Sequence, residues 1–194
     1  GRDLVLPERE GADRDLGEVV LAVDGLEARD ERGLPALRGV SLSVRAGEVV
    51  GLAGVAGNGQ GELASAVAGL KKVDRGTVTL SGVDITSASV EDRIDTGISY
   101  VPQGRLREGL AGGLVTPDNL ALKGFRTAPL SRRGMLRRGA MQYHADELIQ
   151  RFDVRGVRPG LPIRLLSGGN LQKALLAREV THDHTLLMAS SPTR

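Results

Sequence analysis

The first half of the chain alternates between short apolar runs and turns that are rich in glycine or charged residues. Runs of β-branched and aliphatic residues bounded in this way are typical of β-strands. We therefore predict strands at residues 19–23, 40–44, 49–52, 77–80 and 98–101. A helical period interrupts them over residues 60–70, where the apolar positions that share one face are Leu63, Ala66, Val67 and Leu70.

From residue 104 to about residue 180 the apolar positions follow a helical period. Thr116 and Pro117 match the N-cap and first turn of a helix. Ser167 is placed to open a long helix that runs to Val180. Between them, an apolar stripe is formed by Met141, Ala145, Leu148 and Phe152. A strand is predicted again at residues 185–189.

This order of elements predicts an α/β fold in which a helical subdomain is inserted into the core. We assign residues 18–103 and 181–194 to the core and residues 104–180 to the helical subdomain. Residues 1–17 carry charges of both signs without an apolar period, so we interpret them as a linker or arm.

Composition excludes several classes of protein. The chain contains no cysteine, which rules out disulfides and thiolate zinc sites. No stretch approaches the roughly 18 consecutive apolar residues of a transmembrane helix. The net charge of +2 is too small to indicate nucleic-acid binding. We therefore expect a soluble domain that meets a membrane only through its partners.

A glycine-rich loop follows the strand predicted at residues 49–52. Its spacing fits the phosphate loop G-x-x-x-x-G-K-[ST], in which bare backbone amides and a helix N-terminus bind an anion. The candidate nucleotide-binding residues of this loop are Gly54, Gly57, Asn58, Gly59, Gln60, Gly61 and Glu62. Gln60 stands at the lysine position and Gly61 at the Ser/Thr position, so the motif's phosphate-binding cation and magnesium-binding hydroxyl are both absent.

A second motif, Leu-Ser-Gly-Gly-Asn-x-Gln-Lys, spans residues 166–173. Its serine is placed to cap a helix, and its two glycines let a phosphate approach the backbone. The motif resembles the signature of ATP-binding-cassette (ABC) transporters. In the order expected of that family, Gln103 matches the Q-loop glutamine, and residues 186–194 resemble the Walker B strand with the Pro-Thr-Arg that follows it.

The resemblance implies a P-loop NTPase core of the RecA type, an antiparallel β subdomain and an inserted helical subdomain, with the chain ending just after Walker B. There are also departures from the family pattern. Ser190 and Ser191 stand where the family has its magnesium-organising aspartate and catalytic glutamate, and residues 28–30 offer no aromatic side chain for adenine. Together with Gln60 and Gly61, these degenerate positions imply weak or no nucleotide binding, no bound metal and no hydrolysis at the chain's own site.

In this family two cassettes meet head to tail, and each ATP lies between the phosphate loop of one and the signature of the other. The resemblance therefore implies that this chain donates its signature to ATP and Mg²⁺ held by a partner half. The residues expected to act there are Ser167, Gly168, Gly169, Asn170 and Gln172.

The signature variant resembles the second half of fused ATP-binding subunits of bacterial sugar and nucleoside importers. The ending Ala-Ser-Ser of the Walker B strand favours the nucleoside branch, whereas Gln103-Gly104-Arg105 departs from the Glu-Asp-Arg usual in these subunits. The implied partners are the first half of the same subunit, transmembrane permease subunits and, indirectly, a solute-binding protein, at the cytoplasmic face of the cell membrane. The alternatives are a free-standing ABC-type ATPase and a non-catalytic nucleotide-binding module.

Residues 119–145 contain no acidic side chain. The basic residues of this stretch are Lys123, Arg126, Arg132, Arg133, Arg137 and Arg138. We interpret them as a solvated helical face, with contact to a permease, to lipid headgroups or to nucleic acid as alternatives. His182 and His184 are interpreted as part of a polar turn and not as a metal site. Tyr143 and Phe152 are predicted to be core residues.

Overall fold

The computed structural model describes residues 16–55, 57–181 and 183–190. The linker predicted at residues 1–17 therefore lies almost wholly outside the described residues. The same holds for His182, for Ser191 and for the Pro-Thr-Arg at residues 192–194.

The first part of the chain forms a four-stranded antiparallel sheet with the strand order β2-β1-β3-β4. Its strands are β1 (Val19–Arg29), β2 (Pro35–Arg45), β3 (Arg75–Leu80) and β4 (Val83–Asp84). The first two strands extend well beyond the predicted runs because the turn between them is tight. The Asp30 carboxylate accepts hydrogen bonds from the backbone amides of Arg32 and Leu34, each at 2.8 Å. This closed turn keeps the two chains paired up to their ends.

Helix α1 (Gln60–Val67) packs against this sheet. Leu63, Ala66 and Val67 are buried, as their spacing predicts. The prediction for Leu70 is wrong, because its side chain is 56% exposed. The helix stops three residues earlier, and Gly69 adopts a φ of 78° that turns the chain away from the core.

A parallel pair of strands, β5 (Ile98–Val101) and β8 (Leu186–Ala189), lies beside this first layer. Helix α2 (Val90–Asp95) leads into β5. The strand predicted at residues 49–52 is not formed, and Val49 is 96% exposed. A strand needs a neighbour for its backbone N–H and C=O groups. Among the described residues, β8 pairs only with β5, and nothing pairs with residues 49–52.

The helical subdomain holds a second hydrophobic core, to which Val101 of β5 also contributes. Its helices are α3 (Thr116–Ala121), α4 (Arg138–Arg151) and α5 (Gly168–Val180), and a hairpin between α3 and α4 is formed by β6 (Ser131–Arg132) and β7 (Met135–Leu136). Phe152 packs against this core as predicted. Tyr143 is 67% exposed, so its assignment to the core is wrong, because it lies on the face of α4 opposite Met141 and Ala145. Thr116 is the first residue of α3, whereas Val115 occupies the N-cap.

A buried ion-pair network joins the helical subdomain to the parallel strands. Glu179, near the end of α5, forms a salt bridge with Lys123 at 2.7 Å. It also accepts a hydrogen bond from the backbone amide of Tyr100 at 3.1 Å. Arg178 donates from Nε to the other Glu179 oxygen at 2.9 Å. The side chains of Glu179 and Lys123 are only 3% and 10% exposed. The C-terminal end of α5 is thereby fixed to β5.

The same network corrects the interpretation of the basic stretch. Lys123 is buried, Arg126 pairs with Glu91 and Asp95 of α2, and Arg138 pairs with Asp118. Arg132, Arg133 and Arg137 lie in or beside the β6–β7 hairpin. The stretch is therefore not a solvated helical face, because its glycine-containing turn and short strands interrupt the helical period.

The mixed α/β fold class, with an antiparallel sheet and an inserted helical subdomain, is confirmed. Among the described residues, no helix is both long enough and apolar enough to cross a membrane. Within the same residues, no group of three or more metal-binding side chains is brought together.

Candidate functional site

The signature motif lies at the N-terminus of α5, with Ser167 at the N-cap in an extended conformation. The Ser167 hydroxyl does not cap the helix backbone, contrary to the prediction. Instead it accepts a hydrogen bond from Asn170 Nδ2 at 2.9 Å, and Asn170 Oδ1 accepts one from the backbone amide of Arg155 at 2.7 Å. The first backbone N–H groups of the helix therefore keep their capacity to bind an anion, in the field of the helix dipole.

Arg105 lies beside this helix N-terminus. Its Nε donates a hydrogen bond to Oε1 of Gln172 at 2.7 Å. A Cβ placed on Gly168 would lie 3.1 Å from Arg105 Nη1, whereas a Cβ on Gly169 would have no neighbour within 4 Å. A guanidinium and a helix N-terminus thus meet at Gly168, while Gly169 faces open space. Both features favour the binding of an anionic group such as a phosphate.

Lys173, the lysine of the signature motif, has a structural role. Lys173 Nζ donates to the backbone carbonyl and to Oδ2 of Asp153, both at 2.8 Å, while Arg155 Nε donates to Asp153 Oδ1 at 2.9 Å. The hydrogen bond from Arg155, followed by that from Lys173, lowers the pKa of Asp153 to about 2. Lys173 therefore fixes α5 to the end of α4 and is not directed at a ligand.

The backbone of the phosphate loop adopts conformations that require glycine. Gly57 and Gly59 adopt φ values of 92° and 98°, in the left-handed region that favours glycine. A Cβ on Gly59 would lie 2.8 Å from the carbonyl oxygen of Ala36, so the turn can also approach β2 only with glycine at this position. Gly59 is the N-cap of α1, and Gly61 and Glu62 follow in the first turn.

The side chain of Gln60 folds back over the loop. A Cβ on Gly54 would overlap Gln60 Nε2, so the amide lies directly against the first glycine of the motif. A Cβ on Gly61 would meet nothing within 4 Å. The loop thus presents a neutral amide where the motif has a lysine, and an empty space where it has a hydroxyl.

The ends of the two parallel strands are brought together. The backbone amide of Ser190 donates to the carbonyl of Val101 at 2.8 Å, which places Ser190 next to the strand end that leads to Gln103. Gln103 is exposed. Ser191 lies outside the described residues. Among those described, no hydrogen bond joins the phosphate loop to the signature helix.

Sequence reasoning gave no role to three side chains that build the signature region: Arg105, Asp153 and Glu179. One signal was available for Glu179, since an Arg-Glu pair within the otherwise apolar C-terminal half of a helix indicates a buried salt bridge. The hydrogen bonds of Arg105 and Asp153 connect residues far apart in the chain and leave no local pattern.

A surface groove of about 420 Å³ lies between α2, β5 and the helical subdomain. Its apolar wall includes Leu70, Val90, Ile94 and Leu122. Its charged lining includes Glu108 and the largely buried Lys123 and Arg178. An apolar floor of this kind is typical of a groove that binds an amphipathic helix.

Residues 37–194 match the family model described as ABC transporter. The chain is 48% identical over 180 residues to a glucose import ATP-binding protein of Haloferax volcanii, which covers 92% of this chain and 33% of that protein. It is 44% identical over 178 residues to a guanosine import ATP-binding protein of Bacillus subtilis, with 92% of this chain and 35% of that protein covered. The chain thus spans about a third of the length of these curated relatives.

Solved structures share the fold. A dimeric ATP-binding cassette, MJ0796, in a post-hydrolysis state with ADP and phosphate, superposes with a TM-score of 0.72 at 20% identity. The match covers 89% of this chain and 74% of that one. The P-loop NTPase fold implied by the sequence is therefore confirmed, and the chain belongs to the ABC transporter family.

Proposed function

We propose that this chain is an ATP-binding cassette of an importer for sugars or nucleosides. Relatives at 48% and 44% identity are named for the import of glucose and of guanosine, which supports a solute of this kind. We further propose that the chain is the second of two cassettes in one subunit. The relatives are about three times as long as the part that this chain matches, which leaves room for another cassette.

The chain's own phosphate loop does not fit a magnesium nucleotide. Gln60 replaces the lysine, Gly61 replaces the hydroxyl, and Ser190 stands where the family has an aspartate. The Gln60 amide also lies against Gly54, where a phosphate would approach the backbone. We therefore derive no catalytic step at this loop, and ATP with Mg²⁺ is assigned to the partner half.

The observation that carries the function is the geometry at the signature. Arg105 is held beside Gly168 by its hydrogen bond to Gln172, and Gly169 faces open space at the N-terminus of α5. A cation and unpaired helix amides at one place stabilise the negative charge of a phosphate supplied by another cassette. These donors contribute to the transfer of a phosphoryl group even though this chain provides no base.

The permease is the proposed second partner. The groove between α2, β5 and the helical subdomain has the apolar floor that an amphipathic helix of a membrane protein requires. Lys123 and Arg178 line this groove and also belong to the network around Glu179. A helix bound there would contact the same residues that fix the signature helix to the core.

Two substitutions in the complete subunit with its permease test this function. Gly169→Asp should lower ATP hydrolysis by roughly a hundredfold, because it places a negative charge where the phosphate must enter. Gln60→Ala should leave the rate within about twofold, since loss of a neutral amide removes no transition-state contact. Gly139→Asp is the matched control, because Gly139 also lies in a helix with nothing within 4 Å of its Cβ position.

Equal losses from Gly169→Asp and Gln60→Ala would contradict the division of roles. Brisk hydrolysis by the isolated chain would instead favour a free-standing ATPase. Tight ATP binding by the isolated chain without hydrolysis would favour a nucleotide-binding module.

A further inference from the structure

The β6–β7 hairpin projects from the helical subdomain on a rigid base. Leu130 and Met141 are buried with Ala121 in a small hydrophobic cluster beneath it. The backbone amide of Arg137 donates to the carbonyl of Leu130 at 2.8 Å, which closes the base of the hairpin. The orientation of the tip is therefore fixed by packing.

The two faces of the hairpin differ. Residues directly opposite in an antiparallel pair point to the same face. Ser131 pairs with Leu136; Ser131 is buried and Leu136 is 44% exposed, so the protein covers this face in part. Arg132 pairs with Met135, and both are exposed, so they form the outward face.

The hairpin, from its turn to its base, carries positive charge around an apolar side chain. Arg133 and Gly134 form the turn with φ values of 51° and 77°, the conformation of a two-residue hairpin turn. Met135 is 73% exposed. The side chains of Arg132, Arg133 and Arg137 are exposed and form no hydrogen bond or ion pair with any residue that the structure describes. This distinguishes them from Lys123, Arg126 and Arg138, which are paired.

We infer that this hairpin binds the surface of an anionic lipid bilayer. Arg132, Arg133 and Arg137 would contact lipid phosphates, and Met135 would enter the headgroup region between them. An acidic protein surface is a weaker candidate, because a specific protein interface buries about 1,000 Å² or more, whereas lipid binding needs only a few basic and apolar groups. The hairpin also begins eight residues after Lys123, which lines the groove proposed for a membrane partner.

This inference goes beyond the proposed function and is tested separately from it, since vesicle binding needs neither nucleotide nor a second cassette. The 194-residue chain is sedimented with vesicles of phosphatidylcholine alone and with vesicles carrying about one third phosphatidylglycerol. Binding is expected only to the second kind. It should fall as salt is raised, because screening shortens the range of the attraction.

Variants of the chain distinguish the contribution of the hairpin to vesicle binding from that of net charge. Replacing Arg132, Arg133 and Arg137 together by glutamine should lower the partition coefficient roughly a hundredfold, or about fivefold for each charge. The matched control replaces Arg32, Arg38 and Arg75 by glutamine. Arg32 lies in the turn between β1 and β2 and the other two lie on the antiparallel sheet; all three are exposed and have no side-chain partner among the described residues. This control changes the net charge equally and should lower binding by less than about fivefold. Met135→Ser alone, at an exposed position that leaves the fold intact, should lower binding several-fold.

Equal losses from the two triple variants would overturn the inference, since binding would then follow net charge alone. Equal binding to neutral vesicles would overturn it as well. Binding to immobilised polyglutamate but not to vesicles would replace the lipid by an acidic protein partner.

Discussion

Arg105 Nε and Gln172 Oε1 are joined by a hydrogen bond of 2.7 Å that links the segment after β5 to the signature helix. The two residues are 67 positions apart in the chain. This contact holds the guanidinium over Gly168, so the residue that follows the Q-loop determines the charge at the start of α5.

We expect this hydrogen bond to appear as an energetic coupling. Arg105→Ala and Gln172→Ala should each lower the free energy of unfolding, and the double variant should lose about 1 kcal/mol less than the sum, because the two changes remove one shared bond. Urea denaturation of the four proteins measures this difference. As a control, Arg105→Ala combined with Gln142→Ala on α4 should be additive within about 0.5 kcal/mol. Additivity in the first cycle would show that the bond contributes nothing.

The buried pair of Lys123 and Glu179 is expected to matter more than the exposed pair of Arg126 and Glu91. Lys123→Ala should lower the free energy of unfolding by about 3 kcal/mol, because it leaves the buried Glu179 with one fewer cation. Arg126→Ala should cost less than about 1 kcal/mol, since its partners are largely solvated. Chemical denaturation measures both values. Similar costs would mean that the Glu179 network does not anchor α5.

Asp153 makes stability depend on pH in the acid range. Its folded-state pKa of about 2 lies below the ordinary value of 3.8, so its contribution is complete above about pH 4 and is lost as the pH falls towards 2. Asp153→Asn should therefore be less stable than the original chain at neutral pH, and the difference should shrink between pH 4 and pH 2. Urea midpoints measured across this range test the sign. Asp146→Asn on α4 is the control, and a constant difference for Asp153→Asn would contradict the role of its ion pairs.

Restoring the phosphate loop should restore binding without hydrolysis. Gln60→Lys with Gly61→Ser should raise the affinity for ATP about tenfold to a hundredfold, since a charge-assisted hydrogen bond contributes about 1.5–3 kcal/mol. The serine fits because a Cβ on Gly61 meets nothing within 4 Å. Calorimetry measures the affinity, and Gly113→Ser, at another open glycine, is the control. Rapid hydrolysis by the double variant would show that Ser190 and Ser191 are not deficient.

The parts of the fold that follow from local pattern were predictable. The strand at Ile98–Val101, the helix beginning after Ser167 and the buried face of α1 depend on hydrophobic period and on helix-start residues, which are read within a few positions. The prediction from sequence failed where the secondary structure depends on pairing with a segment that is distant in the chain. Residues 49–52 have the composition of a strand, but a strand exists only beside another strand.

The candidate site divides in the same way. The glycines of the phosphate loop and of the signature are recognisable because their spacing is dictated by backbone geometry. The side chains that support these glycines cannot be recognised from the sequence in this way. Arg155 supports Asn170 through a backbone amide, and Arg105 reaches Gln172 across the fold, so neither contact has a signature in sequence.

The anchoring of Glu179 has a mechanical consequence for α5. The C-terminal end of this 13-residue helix is held against β5 by the hydrogen bond from the Tyr100 amide to Glu179. Its signature glycines lie at the other end of the helix, about 20 Å away. A tilt of about ten degrees about the anchored end would displace those glycines by about 3 Å, which is the length of a hydrogen bond. Rotation of the helix about its anchored end would therefore move the signature glycines more than any other residues of the helix. If the proposed function holds, a small rotation at Lys123 and Glu179 would be enough to make or break contact between these glycines and a phosphate of the partner cassette.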